Sequence, residues 1–582
     1  MSDRWQCRDS PPPQANLNAT IVKRIRLHHT RRVSTFTYLV LSEPIGRRLR
    51  SAVSRLALGA ALLQILYSPS TARADTPPPR LEAYGDAPLA HRQPLFTPRT
   101  VVSTPFGTSY QVNVNPSGQN IAGDAANEPS LCIDPIAPDR MAIGWRQFDS
   151  TNGNFRQAGW AYSTNGGVNW KFGGVLETNV FRSDPVLATD ADGNFYYLSL
   201  QTNGSYQCDL WRSTNGGANW RRLGPAVGGD KAWMTIDTTA GPGRGNIYQT
   251  WSIVANTYSN RNFSLSPDGG LTWTNPFSIP ASPFWSTLDT GPDGQLYLLG
   301  WNGGGFWLNR STSATNRAAP FNFDLTVPVD LGGELLYGLG FGHNPEGLLG
   351  QPAIAVDRST NQTRGNVYAL CTIGTLENLC DVMFARSTNG GTNWSAPVRI
   401  NTEPAFTNAW HWFGTLSVAP NGRIDVCWYD TRNNPDNTLS ELYYCYSLDG
   451  GLSWAPNRAI SPPFNHSLGY PMQNKIGDYF GMISLDDAAC IAYSATFNGE
   501  QDIYFVRVEQ PFAAIAISDS AVRLDWNAII GKTYCVQSKT SLTAPWPVGT
   551  NQLCVVATNV VMTVTDPISL DAQRFYRVLK QP

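Results

Sequence analysis

Charge is scarce in this 582-residue chain: Asp, Glu, Lys and Arg make up 15% of it, and the formal net charge is -1. A chain without a basic excess cannot hold nucleic acid by neutralising phosphates, and no acidic run supplies a solvating tail. Histidine is scarce too, with 6 residues, and no CxxC occurs, so the common zinc spacings are excluded. Long amphipathic helical patterns are hard to find past residue 75.

What is abundant points elsewhere. Gly 52, Pro 41, Trp 19, Tyr 23 and Phe 24 favour many short strands joined by many turns. Near the N-terminus, Arg47, Arg48 and Arg50 precede an apolar run from Leu56 to Tyr67 and the small residues Ala72 and Ala74. That order is the pattern of a signal peptide cut after Ala74, and the apolar run is too short to span a bilayer comfortably. The expected organisation is an extension (1–45), a signal peptide (46–74), a linker (75–99) and a mature, exported protein, extracellular or periplasmic, with no membrane span after cleavage.

Nine of the ten cysteines lie beyond Ala74 and can pair in an oxidising compartment. Cys371 and Cys380, Cys427 and Cys445, and Cys535 and Cys554 are neighbours in sequence, leaving Cys132, Cys208 and Cys490. The odd total implies a free thiol or an intermolecular link.

One octapeptide recurs. "STNGGVNW" (Ser163 to Trp170), "STNGGANW" (Ser213 to Trp220) and "STNGGTNW" (Ser387 to Trp394) are joined by "SPDGGLTW" (Ser266 to Trp273) and "SLDGGLSW" (Ser447 to Trp454). A worn copy, "RSTSATN", runs from Arg310 to Asn316. The paired glycines suit positive-φ positions of a tight turn, and Ser and Asn or Asp side chains bond backbone amides locally. Trp170 to Trp220 is 50 residues, Trp220 to Trp273 is 53 and Trp394 to Trp454 is 60, a period that means a propeller or another repeat array.

Upstream of each turn lies a strand–turn–strand signature, beginning in turn "EPSLCIDP", "DPVLATD", "AWMTID", "STLDTG", "PAIAVD", "GTLSVA" and "GDYFGMI". The seventh has no octapeptide, and Thr100 to Val114 can supply its outer strand and close a ring. The expectation is an all-β chain: a seven-bladed β-propeller over 100–509, with six blades as the alternative. A small β-sandwich module follows over 510–582, where short alternating strands end the chain.

The octapeptide resembles the Asp-box, or BNR repeat, of the sialidase-like propellers, with five good copies in register. The resemblance implies that these turns join the third and fourth strands of a blade, away from the catalytic face. It also implies a sialidase-type chemistry: an arginine cluster for a substrate carboxylate, a tyrosine with a glutamate partner as nucleophile, and an aspartate as acid/base. The family's F/Y-R-I-P motif is absent; "FRSDP" (Phe181 to Pro185) carries an extra residue and sits in the second unit.

In a propeller the starts of the first strands and the ends of the second strands share a face. At the starts stand Glu128, Asp184, Asp230, Lys231, His411, Asp478 and Tyr479; at the ends stand Arg146, Gln147, Asp149, Asp430, Arg432, Asn498 and Glu500. The candidate catalytic residues are Asp430, Arg432, Arg146, Asp149, Glu128 and Tyr479, with Tyr429 as a second tyrosine and Arg182 completing an arginine cluster. The candidate ligand-binding residues are Asp184, Lys231, Trp233, His411, Trp412 and Asp478. A binding propeller predicts that Trp233, Trp285, Trp410 and Trp412 are exposed and suited to sugar stacking, although tryptophan in propellers is more often a packing residue.

Two functions stay open: a glycoside hydrolase with an Arg–carboxylate–Tyr group in one pocket, and a non-catalytic propeller binding a glycan or protein with mutually paired charges. A glycan or glycoconjugate is the expected partner of a monomer, with no cofactor and no metal. "DADGN" (Asp190 to Asn194) is oxygen-rich enough for calcium but lacks EF-hand spacing.

Overall fold

The computed structural model describes residue 88 and residues 95–509, apart from 203–205, 316–319 and 376–377. It also describes 513–517, 521–528, 531, 533–541, 553–559, 561–567 and 574–580. All of these fall within Pro77–Pro582. The extension and signal peptide of 1–74, most of the linker 75–99 and Asn316 lie outside the described residues.

Strands dominate, and the one helical turn among the described residues is Ser313–Thr315. Seven antiparallel sheets follow one another along the chain. Sheet I comprises Ala125–Ile133, Met141–Phe148, Gln157–Ser163 and Lys171–Val175. Sheet II comprises Arg182–Thr189, Phe195–Thr202, Tyr206–Ser213 and Arg221–Pro225. Sheet III has three strands, Trp233–Ile236, Ile247–Thr250 and Phe263–Ser266. Pro276 and Pro280 follow its octapeptide, lack an N–H to donate, and leave only an isolated bridge from Phe263 to Phe277 where a fourth strand would run.

Sheet IV comprises Trp285–Thr290, Leu296–Trp301, Phe306–Ser311 and Leu325–Val329. Sheet V has Ala353–Val356, Val367–Gly374, Asp381–Ser387 and Val398–Arg399, with Glu334–Leu335 added to its second strand. Sheet VI comprises His411–Val418, Ile424–Asp430, Glu441–Ser447 and Arg458–Ala459. Sheet VII combines Gly481–Ser484, Ala488–Ala495 and Asp502–Glu509 with Gly107–Gln111 and Val101–Thr104 from the far end of the ring. Val101 to Gln111 thus supply the outer strands expected of Thr100 to Val114.

Each first strand packs against the first strand of the next sheet, and that of sheet VII packs against that of sheet I, so the order closes on itself. Buried clusters fill the spaces between neighbours; one joins Met141 and Trp145 of sheet I to Ala488 and Cys490 of sheet VII. This is the arrangement of a β-propeller. A central cavity of about 260 Å³ is lined by first-strand residues from all seven sheets.

The octapeptides form the turns after the third strands. In all five, the Ser hydroxyl bonds the Asn or Asp Oδ1 at 2.8–3.0 Å. The same hydroxyl accepts the N–H of the second glycine at 2.8–3.0 Å. That glycine has φ between 82° and 89°, and a β-carbon on it would lie 2.0–2.8 Å from a side chain of the preceding sheet. The turn repeats because each copy must both reverse the chain and dock on the sheet before it.

The structure decides two points that the sequence left open. Cys371, Cys380, Cys427 and Cys445 are buried free thiols, as are Cys132, Cys208 and Cys490; among the described residues only Cys535 and Cys554 are joined. Neighbours in sequence on paired strands do not automatically meet at their sulfur atoms. Trp285, Trp410 and Trp412 are 2%, 8% and 0% exposed, so these rings offer no open face for stacking, whereas Trp233 is half-buried. Past residue 510, two three-stranded sheets share a core of Leu524 and Trp526 from one with Tyr534 and Val536 from the other.

Candidate functional site

The first strands begin unusually. Glu128, Asp184, Lys231 and Phe413 have φ of 52°, 45°, 53° and 58°. Three of these lie at register shifts, between Asn127 and Ser130, between Ser183 and Val186, and between Trp412 and Thr415. A positive φ on a residue with a β-carbon costs about 1–3 kcal/mol, and strand bulges re-aim side chains. Gly477, at φ 103°, lets Glu128 in: a β-carbon there would lie 2.7 Å from the Glu128 Cγ.

These starts bring charges together at one end of the central cavity, where Trp233, Asp478 and Tyr479 line it. Arg146 Nη2 lies 3.1 Å from Glu128 Oε1. Lys475 Nζ lies 2.8 Å from Asp478 Oδ2 and 3.6 Å from Glu128 Oε1. Lys231 Nζ also reaches Asp478 Oδ2, while its backbone N–H donates to Asp184 Oδ2 at 2.8 Å. Arg156 Nε donates to Ser183 Oγ at 3.2 Å, and Ser183 donates to Asp184 at 2.7 Å. All of these side chains are buried, as is Asp230, neither of whose carboxylate oxygens has a hydrogen-bond partner.

The four carboxyls separate in acidity. Burial raises Glu128 to about 7 against the pull of Arg146, and raises Asp230 to about 7 against that of Lys231. Burial is the largest influence on Asp184 and Asp478 as well, but Lys231 and Arg146, joined by Ser183 at Asp184 and by Lys475 at Asp478, together outweigh it and both are lowered. Two carboxyls that keep a proton near neutrality therefore stand beside two that are ionised. Tyr479 donates to the Pro185 carbonyl at 3.0 Å and meets Trp233 edge to face with ring centroids 5.2 Å apart. Burial, with the charges of Glu128 and Asp184, pushes its hydroxyl well above its usual value, the opposite of the activation a tyrosine nucleophile needs.

Asp430, Arg432 and His411 form a second group, on sheet VI. Arg432 Nη2 donates to Asp430 Oδ2 at 2.6 Å and forms an ion pair with Glu403 Oε2, 2.8 Å away. His411 Nδ1 lies 2.7 Å from the Cys380 carbonyl and Nε2 lies 2.8 Å from Glu403 Oε1. Burial works against the imidazolium, yet Glu403 and Asp430 raise its pKa; Glu403 falls to about 2 because His411 and Arg432 outweigh its burial. Asp381, Glu403 and His411 bring ligand atoms within 4.8 Å of one another, as a metal site would. Asn401 Nδ2 already bonds Asp381 Oδ1 at 2.8 Å, and Arg432 neutralises Glu403, so these donors are in use.

The remaining candidates lie apart. Asp149 is exposed and accepts from Gln157 Nε2 at 3.1 Å. Trp412 is in the core, its Nε1 3.3 Å from Ser440 Oγ, and Tyr429 is buried with burial pushing its hydroxyl up. The expected arginine cluster does not assemble: Arg146 faces Glu128, Arg182 faces Asp209 at 2.7 Å, and Arg432 faces Asp430. Sequence reasoning missed Lys475, Arg156, Glu403 and Asp381, which sit in linkers, just before a third strand or at the first residue of one. Asp190 is occupied by its own loop, accepting the Asp192 and Asn194 N–H groups at 2.9 Å, as an ordinary turn does.

No helix among the described residues is long and apolar enough to cross a membrane. No known protein-family model matches the chain, and no curated protein matches it. Among solved structures, a protein of unknown function from Dyadobacter fermentans aligns over 70% of this chain and 100% of its own, at 14% identity and a TM-score of 0.42. The GH93 α-L-arabinofuranosidase of Fusarium graminearum, solved with arabinobiose, aligns over 71% and 98% at 12% identity and a TM-score of 0.36. The phage phi92 endosialidase aligns over 71% and 70% at 10% identity and a TM-score of 0.39. At such scores the fold rests on this chain's own sheets.

Proposed function

We propose that this chain is an exported Asp-box propeller of seven blades, one per sheet, with a C-terminal β-sandwich, acting as a glycoside hydrolase on a glycan. The observation that carries the reading is the pairing of protonated and ionised carboxyls at the end of the central cavity. Glycoside hydrolysis needs one carboxylic acid to protonate the leaving oxygen and one carboxylate to attack or to activate water. Asp230, whose buried carboxyl has no hydrogen-bond partner, and Glu128 are the acids; Asp184 and Asp478 are the ionised partners; Arg146 and Lys231 hold the charge balance. The cavity volume lies near the lower edge of ligand pockets, roughly 300 Å³.

A second reading, a propeller that binds a glycan or protein without turning it over, is favoured by the mutual pairing of Lys231 with Asp478 and Arg146 with Glu128. Hydrolysis of a panel of fluorogenic glycosides, sialosides included, separates the two. Turnover that collapses in Asp230→Asn and Glu128→Gln supports the hydrolase and its site. Turnover that survives both but collapses in Asp430→Asn or Arg432→Ala moves the site to sheet VI. No turnover on any substrate, with binding on a glycan array, supports the second reading.

A further inference from the structure

One amide in the central cavity has no partner in the chain. Gln351 stands just before Ala353–Val356, the first strand of sheet V, so it lies at the same end of the cavity as Trp233, Asp478 and Tyr479. It lines the cavity and is 7% exposed, yet neither its Nε2 nor its Oε1 makes a hydrogen bond. Other polar side chains of the lining are engaged. Thr287 Oγ1 donates to the Pro352 carbonyl at 2.7 Å, and Asp289 Oδ1 pairs with Arg358 Nη1 at 2.6 Å. Asp478 holds Lys475, and Tyr479 holds the Pro185 carbonyl. Leaving a buried amide unpaired costs free energy, so one that meets only the cavity is suited to a group from outside the chain.

Its chemistry says which group. A primary amide offers two N–H donors and one carbonyl acceptor. A ligand carboxylate only accepts and would leave Oε1 unpaired. A hydroxyl both donates and accepts, and two neighbouring hydroxyls satisfy both ends of the amide. The cations that an acidic sugar would need reach groups of the chain itself. Arg146 meets Glu128, Lys231 and Lys475 meet Asp478, and Arg156 Nη1 donates to the Asn154 carbonyl at 2.9 Å. Half-buried Trp233 adds an aromatic wall for the C–H face of a sugar ring. A cavity of about 260 Å³ stands at the small end of ligand pockets, which begin at roughly 300 Å³, and suits one sugar residue better than a run of them.

We propose that the central cavity takes one uncharged, hydroxyl-bearing sugar residue, and that Gln351 selects it by hydrogen-bonding a pair of its hydroxyls. The inference rests on the glycan-directed reading of the cavity given above, and holds whether the sugar is cleaved or only bound.

Thermal melting and calorimetric titration of the full chain test this, with a panel of neutral methyl pentosides and hexosides beside glucuronic acid and N-acetylneuraminic acid. Binding of a neutral glycoside and of neither acid is expected. Gln351→Met, similar in shape and apolar, should weaken that binding about tenfold or more through the loss of two hydrogen bonds. Its Tm without ligand should stay level or rise, because a buried unpaired amide is gone. Where a fluorogenic neutral glycoside is turned over, the loss should fall on KM rather than on kcat. Preference for an acid over every neutral glycoside, or turnover of sialosides alone, overturns the sugar class. Undiminished binding in Gln351→Met overturns the role of Gln351. No response to any neutral glycoside up to about 50 mM, far above the roughly 1 mM upper end of ordinary KM values, overturns the site. Binding of a neutral glycoside without turnover removes the hydrolase reading and supports this one. If Gln351→Met fails to fold, Gln351→Asn, which withdraws the amide by one methylene and should weaken the same binding, and the wild-type panel still decide.

Discussion

Lys231 and Asp478 meet as a buried ion pair although 247 residues separate them. Lys231 leads into the third sheet and Asp478 into the seventh, so the contact crosses the centre of the ring. Asp478 also holds Lys475 and accepts the Leu348 N–H at 2.9 Å. Removing one partner of a buried pair strands the other charge, which costs about 3–5 kcal/mol. Asp478→Asn is therefore expected to lower the unfolding free energy read from urea titration by an amount in that range, and pairing it with Lys231→Met should recover part of the loss. A single variant as stable as wild type would show the pair to be solvated.

Gly167 tests the repeated turn. Its φ is 87° and a β-carbon would lie 2.0 Å from Phe505 Cε1, an atom of sheet VII. Gly174 has φ 98° with nothing within 4 Å of its β-position. Gly174→Ala should cost only backbone strain, about 1–3 kcal/mol. Gly167→Ala adds overpacking of similar size, and should be the more destabilising of the two. Equal losses in a denaturation series would remove the docking explanation for the octapeptide.

Acidity gives a third prediction. Glu128, Asp230 and Asp502 titrate at about 7 when folded, burial being the main cause, against about 4 for unfolded carboxyls. The folded state then holds protons that the unfolded state has released. Their contribution to stability is full below about pH 4 and is lost as pH rises through about 7. Glu403, lowered to about 2, contributes in the opposite sense, above about pH 4 and not below 2. The urea midpoint of wild type should fall between about pH 5 and 8, and Asp230→Asn, which cannot ionise, should flatten the fall. Parallel curves would mean that Asp230 is not the protonated group.

Thiol chemistry offers a fourth. Burial raises all seven free thiols of the ring, Cys490 to about 12, and thiolate is the reactive form. They should resist a thiol reagent in the native protein and react on unfolding. Cys535 and Cys554 close a loop of sequence separation 19, so replacing both with Ala should cost roughly 3 kcal/mol where the loss is read from the C-terminal sheets. Rapid native labelling of Cys371 or Cys427 would contradict their burial.

Much of the fold was legible in the sequence. The octapeptides named their own turns, because Ser, Asn and Gly shape the reversal within eight residues. The strand signatures before them marked all seven sheets, and Thr100 to Val114 was identifiable as the strand that pairs with Asp502–Glu509. The site was only half legible. Glu128, Asp184, Lys231 and Asp478 stood out as charges at strand starts, but Lys475 and Arg156 carried no positional mark. Trp412, which looks like a sugar platform in "NAWHWFG", is core because His343 and His466 pack edge-on against it at 6.2 and 5.7 Å.

By itself, then, the sequence determined the local geometry: the period, the turns and the alternation of strands, all set by short-range backbone preferences and side-chain bonds to nearby amides. Only the tertiary structure decided which charges meet, which buried amide is left without a partner and which tryptophans lose their exposed faces. Those outcomes depend on ring closure, which brings Lys231 to Asp478 across hundreds of residues, and on burial, which turns ordinary carboxyls into groups that hold protons near neutrality.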